Sequence, residues 1–280
     1  MAGLHFVDLV DPTAGSEVGT LDPAPTIGVK LTVEGQTASG QTLTLEDVAD
    51  ALTFRRDGVP FSSESFRFWH EVSKLWFGDV DAPTGNANAN ERAVAFIWFY
   101  QPEIPQALAV EPDNLRYNLQ FNSALGDRFG GNAAACKIEQ VTVKPGELPE
   151  LYTPFCLQDD LQLSGAGFDT DTIDEPNTTR VFFEDEGDLV EDVRIEVDGV
   201  TEFENADLED MNDQARLFNR VETGTPPYVE YTTISAVGQA SVFNSRFAYQ
   251  VQSSSAGTLE VTRMRVGDVS DRERIGALLG

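Results

Sequence analysis

The stretch Leu52-Thr-Phe-Arg-Arg-Asp57-Gly58-Val59-Pro-Phe61 is answered later in the chain by Val193-Arg-Ile-Glu-Val-Asp198-Gly199-Val200-Thr-Glu-Phe203. Each copy runs alternating apolar residues into Asp-Gly, a dipeptide that favours a tight turn. The two Asp-Gly-Val triplets lie 141 residues apart. The apolar anchors that follow repeat as well. Phe66, Trp69, Leu75 and Trp76 are matched by Leu208, Met211, Leu217 and Phe218, each 142 residues further on. A strand–turn–helix unit that occurs twice in 280 residues predicts two copies of one domain.

Working outward from this repeat, residues 1–25 read as an N-terminal arm with one edge strand, because a short alternating stretch gives way to Gly, Pro, Asp and Thr. Strand patterns follow at 26–33, 41–45 and 49–56, then a helix at 62–77 with Phe66, Trp69, Val72 and Trp76 on one face. Ala93–Tyr100, Leu115–Phe121 and Cys136–Val143 complete the first half. The second half repeats the plan. Its strands are expected at 160–164, 179–184 and 189–197, with a helix at 205–219 and further strands at Tyr228–Ala236, Val242–Val251 and Thr258–Val266. Tyr117, Leu119 and Phe121 align with Phe247, Tyr249 and Val251 at an offset of 130. Pro145-Gly146-Glu-Leu-Pro149 stands where a linker belongs. The expected division is an arm over 1–25, a first sandwich over 26–148, a second over 149–267 and a tail over 268–280. Short strands rich in Val, Phe, Tyr and Thr, with one short helix per half, predict an all-β chain of two tandem jelly-roll sandwiches. An immunoglobulin-type pair is disfavoured, since neither half carries the Cys…Trp…Cys pattern.

The charge balance is extreme, with 47 acidic residues against 19 basic ones and a net charge of −28. Only four lysines occur, at positions 30, 74, 137 and 144. In dilute buffer such a chain repels itself, whereas at molar salt the Debye length falls to about 3 Å and the repulsion fades. The composition therefore predicts a protein of a high-salt cytoplasm. The absence of a basic stripe argues against direct nucleic-acid binding. No apolar run is long enough for a membrane helix, and Met1-Ala-Gly-Leu-His-Phe lacks the pattern of a signal peptide, so the chain is expected to be made and used without export. Cys136 and Cys156 are expected to be buried small hydrophobes.

Candidate chemistry is sparse. His5 and His70 are the only histidines, and both are expected at the surface or as caps rather than as bases. Asp169, Asp171 and Asp174 form an acidic loop that departs from the EF-hand pattern at its fifth position, its Gly and its twelfth position, which leaves a looser calcium site or a solvated loop. Glu186-Gly-Asp188-Leu-Val-Glu191 has the Glu-x-Asp-x-x-Glu spacing of laminarinase-type glycoside hydrolases, with Gly187 where that family has an apolar residue. A tandem carbohydrate-binding or adhesin reading requires export signals and a row of exposed aromatics, which the sequence does not offer.

The two Asp-Gly-Val turns, the paired helix patterns and the closing Ser253-Ser-Ser-Ala-Gly257-Thr-Leu-Glu-Val-Thr strand resemble the double jelly-roll major coat proteins of tailless, membrane-containing icosahedral viruses, over residues 26–266. The resemblance implies a structural protein without cofactor or enzymatic activity, made in the host cytoplasm and located in the virion. Its partners would be two further copies in a homotrimer, neighbouring capsomers, minor capsid or membrane proteins and an internal membrane surface. The internal repeat itself predicts that Phe66, Trp69 and Trp76 occupy places equivalent to Leu208, Met211 and Phe218. A larger single jelly-roll coat protein of a two-protein capsid is the viral alternative. Residues 158–213 hold 20 acidic and 2 basic side chains, against 3 acidic and 4 basic in 261–280. This asymmetry places the acidic stretch on an outward or lateral surface, and Arg272 and Arg274 at the base facing a membrane or a neighbour.

Overall fold

The computed structural model describes residues 3–24, 26–56, 58–78, 80–99, 115–142, 153–165, 167–173, 178–185, 187–208, 228–232 and 247–267. The described strands fall into two compact units that meet in sequence between Pro154 and Phe155. The first contains β1 (Gly3–Val10), β2 (Ser16–Thr20), β3 (Thr26–Gln36), β4 (Ala49–Arg56), β5 (Val59–Glu64), α1 (Phe66–Phe77), β6 (Asn90–Trp98), β7 (Leu115–Phe121), α2 (Leu125–Phe129) and β8 (Ala134–Thr142). The second contains β9 (Thr153–Ser164), β10 (Phe168–Ile173), β11 (Thr178–Glu184), β12 (Val190–Val197), β13 (Val200–Ala206), β14 (Tyr228–Thr232), β15 (Phe247–Ser253) and β16 (Ala256–Gly267).

Each unit holds two four-stranded antiparallel sheets, and the strand orders are the same. The first unit reads β1-β8-β3-β6 and β2-β7-β4-β5. Replacing each strand by the one eight places later gives β9-β16-β11-β14 and β10-β15-β12-β13, which are the orders in the second unit. This is the jelly-roll connection, repeated. The core of the first unit is built from inward residues such as Val29, Leu31, Val33, Leu52, Phe54, Leu119 and Ile138. The second is filled by Leu161, Leu163, Val181, Phe183, Val193, Ile195, Tyr249, Val251, Leu259 and Val261.

The repeated triplets mark equivalent hairpins. Arg56 pairs with Val59 and Val197 with Val200, leaving two-residue connections. Asp198 and Gly199 both have positive φ (51° and 78°), as a hairpin turn twisted like its strands requires. Register also corrects the alignment of the later strands. Phe54 pairs with Tyr117, and Ile195 with Tyr249. Tyr117 is thus the counterpart of Tyr249, Leu115 of Phe247 and Leu119 of Val251, an offset of 132 rather than 130. A two-residue slip keeps every side chain on its own face, so periodicity alone cannot distinguish the two alignments.

Other expectations change where tertiary pairing prevails. Residues 3–20 are not an arm: β1 pairs with β8 and β2 with β7, as integral strands of the sandwich. Residues 41–45 are not a strand, because the Asp47 carboxylate accepts from the Thr44 amide (2.8 Å) and hydroxyl (3.1 Å) and folds the segment into a turn. The helix starts at Phe66 rather than 62. Ser62 and Ser63 are held in register against Phe54 and Thr53, and Ser65 caps the helix by accepting from the Phe68 amide at 3.0 Å. After the second hairpin the chain likewise continues as β13 to Ala206. Most of the expected helix at 205–219 lies outside the described residues, as do Met211, Phe218, the 145–149 linker and the tail with Arg272 and Arg274. Phe66, Trp69 and Leu208 are buried, in keeping with core positions.

Helix α1 closes one edge of the first sandwich. Strand β6 is the last strand of its sheet, so its outward backbone groups need partners. His70, buried rather than at the surface, donates from Nδ1 to the Val94 carbonyl at 2.7 Å. The Ser73 hydroxyl accepts from the Phe96 amide at 2.9 Å and donates to the Trp69 carbonyl at 2.5 Å. The Val94 amide donates to the Asp81 carbonyl at 2.9 Å. Replacing His70 or Ser73 by Ala is expected to cost about 1–3 kcal/mol each, because buried backbone groups of β6 lose their partners. Urea denaturation of the variants would measure this.

Candidate assembly surface

The residues singled out for chemistry serve the fold where the structure describes them. His5 is exposed on β1, far in function from the buried His70. Asp169 accepts from the Ser164 amide (2.7 Å) and hydroxyl (3.1 Å), closing the turn between β9 and β10. Asp171 accepts from the Thr172 amide at 2.7 Å and the Tyr249 phenol at 3.0 Å. Asp174 lies outside the described residues, among which no group of three His, Cys, Asp or Glu side chains is arranged to hold a metal. The glycosidase-like spacing does not sit on one strand. Asp188 lies in the connection between β11 and β12 with φ 51°, and Glu191 lies on β12. Asp185 organises that connection by accepting from the amides of Leu189 (2.8 Å) and Val190 (2.9 Å). Glu186 lies outside the described residues. Cys136 and Cys156 are buried thiols, not joined in a disulfide, and burial pushes the Cys136 thiol up to about 12.

The equivalent tyrosines show how carboxylates are used inside these sandwiches. Tyr117 donates to Asp8 at 3.3 Å, linking β7 of one sheet to β1 of the other. Its ring lies over Gly19, where an added Cβ would fall 2.2 Å from the phenol oxygen. In the second unit the residue paired with Tyr249 is Asp171, which accepts the hydroxyl directly. Burial, then the neighbouring carboxylate, raises both phenols well above the ordinary range, so they remain donors. No local pattern signals these pairs, because the partners are far apart in the chain.

The outer face of the β1-β8-β3-β6 sheet departs from the polar surface expected of a sandwich. Register places side chains in rows across it. Leu4 lies beside Val141, Gly28 and Trp98; Phe6 beside Glu139, Lys30 and Phe96; Leu9 beside Lys137, Thr32 and Val94. Glu139 bonds Lys137 at 2.6 Å and lies 3.5 Å from Lys30. Lys30 also sits 5.7 Å from the Phe96 ring centre, and Phe96 stacks on Trp98. Burial by itself would raise the Glu139 carboxyl, but the two lysines hold it below its usual range. At one end of this sheet a cleft is lined by Glu34, Gln36, Arg92 and Asn132. Glu91 at its margin is occupied by the Thr84 and Asn86 amides at 2.5 and 3.0 Å. Those bonds brace the loop that borders the cleft.

No sequence-family model and no curated protein matches the chain. Solved structures do match it in fold. The major capsid protein P2 of bacteriophage PM2 superposes with a TM-score of 0.68 at 14% identity, covering 96% of this chain and 99% of that one. The STIV MCP gives a TM-score of 0.68 at 10% identity, covering 95% and 96%. A chain of the PBCV-1 virus capsid gives 0.64 at 8% identity, covering 95% and 93%. The chain has the double jelly-roll fold of these capsid structures.

The braced carboxylate makes the first unit acid-sensitive. Burial raises the Glu91 carboxyl, but hydrogen bonds from Thr84 and Asn86 outweigh it and bring it below its ordinary value of 4.5. A depressed folded value means that this stabilisation is complete above that ordinary value and is lost as pH falls through the lower folded one. The variant Glu91→Gln is expected to be less stable near neutrality and to lose less stability between about pH 5 and pH 3. Denaturation midpoints of both proteins across that range would check this.

Proposed function

We propose that this chain is a structural major coat protein, not an enzyme, which assembles as a homotrimer into the icosahedral shell of a virus. The observation that carries the reading is the duplication of one strand order in two units, joined to a full-length fold match with capsid proteins. Duplication serves a shell directly, since two sandwiches in each of three chains tile a six-fold position from one gene. A larger single jelly-roll coat protein would not need the second copy. Among the described residues His70 holds a strand edge, and Asp169 and Asp171 of the calcium-like loop accept hydrogen bonds from the chain itself, which also favours a structural role.

The finer parts of the proposal rest on composition. A net charge of −28 with four lysines fits assembly in strong salt, where carboxylate repulsion is screened. The acidic segment 158–213 would face outward or laterally. The tail with Arg272 and Arg274 would lie at the base, toward an internal membrane, a minor protein or a neighbouring capsomer. The place of action is the virion, after synthesis in the host cytoplasm, with no direct contact to nucleic acid.

Light scattering and particle imaging of the purified chain across a salt series test this. Trimers and shells are expected in multi-molar NaCl, with swelling or dissociation at low salt. A monomer at every salt concentration would remove the coat reading, and a melting temperature independent of salt would remove the salt adaptation alone.

A further inference from the structure

Among the described residues of the first unit, every large apolar side chain left exposed lies on its two N-terminal edge strands. Leu4, Phe6 and Leu9 on β1 are 53%, 58% and 59% exposed, and Val18 on β2 is 65% exposed. The other edges are managed. Strand β6 is closed by α1 and Asp81, and β5 carries Pro60, which cannot donate to an added strand. Strand β1 runs for eight residues, pairs among the described residues only with β8, and turns Leu4, Phe6 and Leu9 onto the outer face. A long edge strand with outward apolar side chains is a template for pairing with another chain.

Beside that strip stand Lys30 and Lys137, two of the four lysines, with Glu139 between them. On this outer face two ammonium groups stand against one carboxylate, and the Asp8 carboxylate lies at the strand edge, where it accepts the Leu9 amide at 2.8 Å, so the strip is near neutral on a chain of net charge −28. Lys137 keeps 43% of its side chain exposed, beside Leu9. An approaching copy is repelled by most of an acidic surface and least here, where Lys137 can meet a carboxylate of the neighbour. An anionic bilayer would also be drawn to the lysines, but hydrocarbon cannot satisfy the backbone groups of a strand edge, whereas a protein segment can, and among the described residues β1 pairs only with β8, apart from the Asp8 carboxylate on the Leu9 amide.

We propose that the β1 edge, with Leu4, Phe6 and Leu9 and the lysines beside them, is a contact surface for a second copy of this chain. The inference rests on the coat reading, which requires self-association, and adds the face and the residues that carry it. Contact there would cover the apolar strip, pair or shield the β1 backbone and set Lys137 against carboxylates of the neighbour.

The test is sedimentation velocity of the full chain over a concentration series, for the wild type, for Phe6→Ser with Leu9→Ser, and for Lys137→Glu, with flotation against anionic vesicles alongside. The wild type is expected to self-associate. The double variant should need a concentration higher by at least about tenfold, as for the loss of two interface anchors. Lys137→Glu should weaken association in the same direction, most at low salt, with an unchanged circular dichroism spectrum and a melting point lowered only by the loss of its bond to Glu139. Variants that associate like the wild type would overturn this face and leave the coat reading intact. A wild type that stays monomeric at all concentrations would overturn both. Vesicle binding lost in the double variant while self-association persists would assign the strip to lipid and overturn the proposal. Should the double variant fail to fold, Lys137→Glu, at an exposed side chain, decides the matter.

Discussion

A sandwich of four-stranded sheets must satisfy or cover the backbone groups along its outer strands, and much of this structure answers that constraint. The inward faces take care of themselves, since alternating residues from the two sheets of each unit bury one another. The edges do not. On β6 the solution is a helix whose polar residues matter as much as its apolar face: Phe66, Trp69 and Val72 pack, while His70 and Ser73 reach the backbone of Val94 and Phe96. On β5 the solution is local, a tight hairpin and a proline. On β1 the described residues supply no such cover, and the strand that remains open also carries outward leucines and a phenylalanine.

Within each unit the acidic composition is put to structural use. Asp47, Glu91, Asp169 and Asp185 each accept backbone amides that a connection would otherwise leave unpaired. Asp8 and Asp171 accept the phenols of two equivalent tyrosines. These bonds need acceptor oxygens at those positions, so part of the acidic composition is a requirement of the turns. The remainder is a matter of surface, where repulsion between copies has to be screened by salt or eased at patches where lysines offset the carboxylates. The Lys137–Glu139–Lys30 cluster is such a patch, and its position beside the open strand joins the two themes.

The fold was legible in the sequence to an unusual degree because its strongest signals are local. Asp-Gly between alternating residues marks a hairpin wherever it occurs, and a second copy of the same signal at 141 residues marks a second domain. The helical spacing of Phe66, Trp69, Val72 and Trp76 placed α1 within a few residues, and the alternation of Leu115, Tyr117, Leu119 and Phe121 placed β7 at Leu115–Phe121 without error. The same locality explains the misses. Residues 3–20 read as an arm because their partners, β7 and β8, come more than 90 residues later. Residues 41–45 alternate like a strand, but a nearby aspartate captured the backbone first.

The sequence by itself determined the class, the duplication and the charge, since these depend on composition and short-range periodicity. Only the tertiary structure decided the register of Tyr117 against Tyr249, the burial of His70 and the openness of β1. Each depends on which strands lie side by side, and a two-residue period cannot report that, because a slip of two residues leaves every apolar side chain on its own face. The partners of His70, Asp8 and Glu139 are set by the order β1-β8-β3-β6, which brings together residues from both ends of the first unit. Their chemistry became visible only when that order was known.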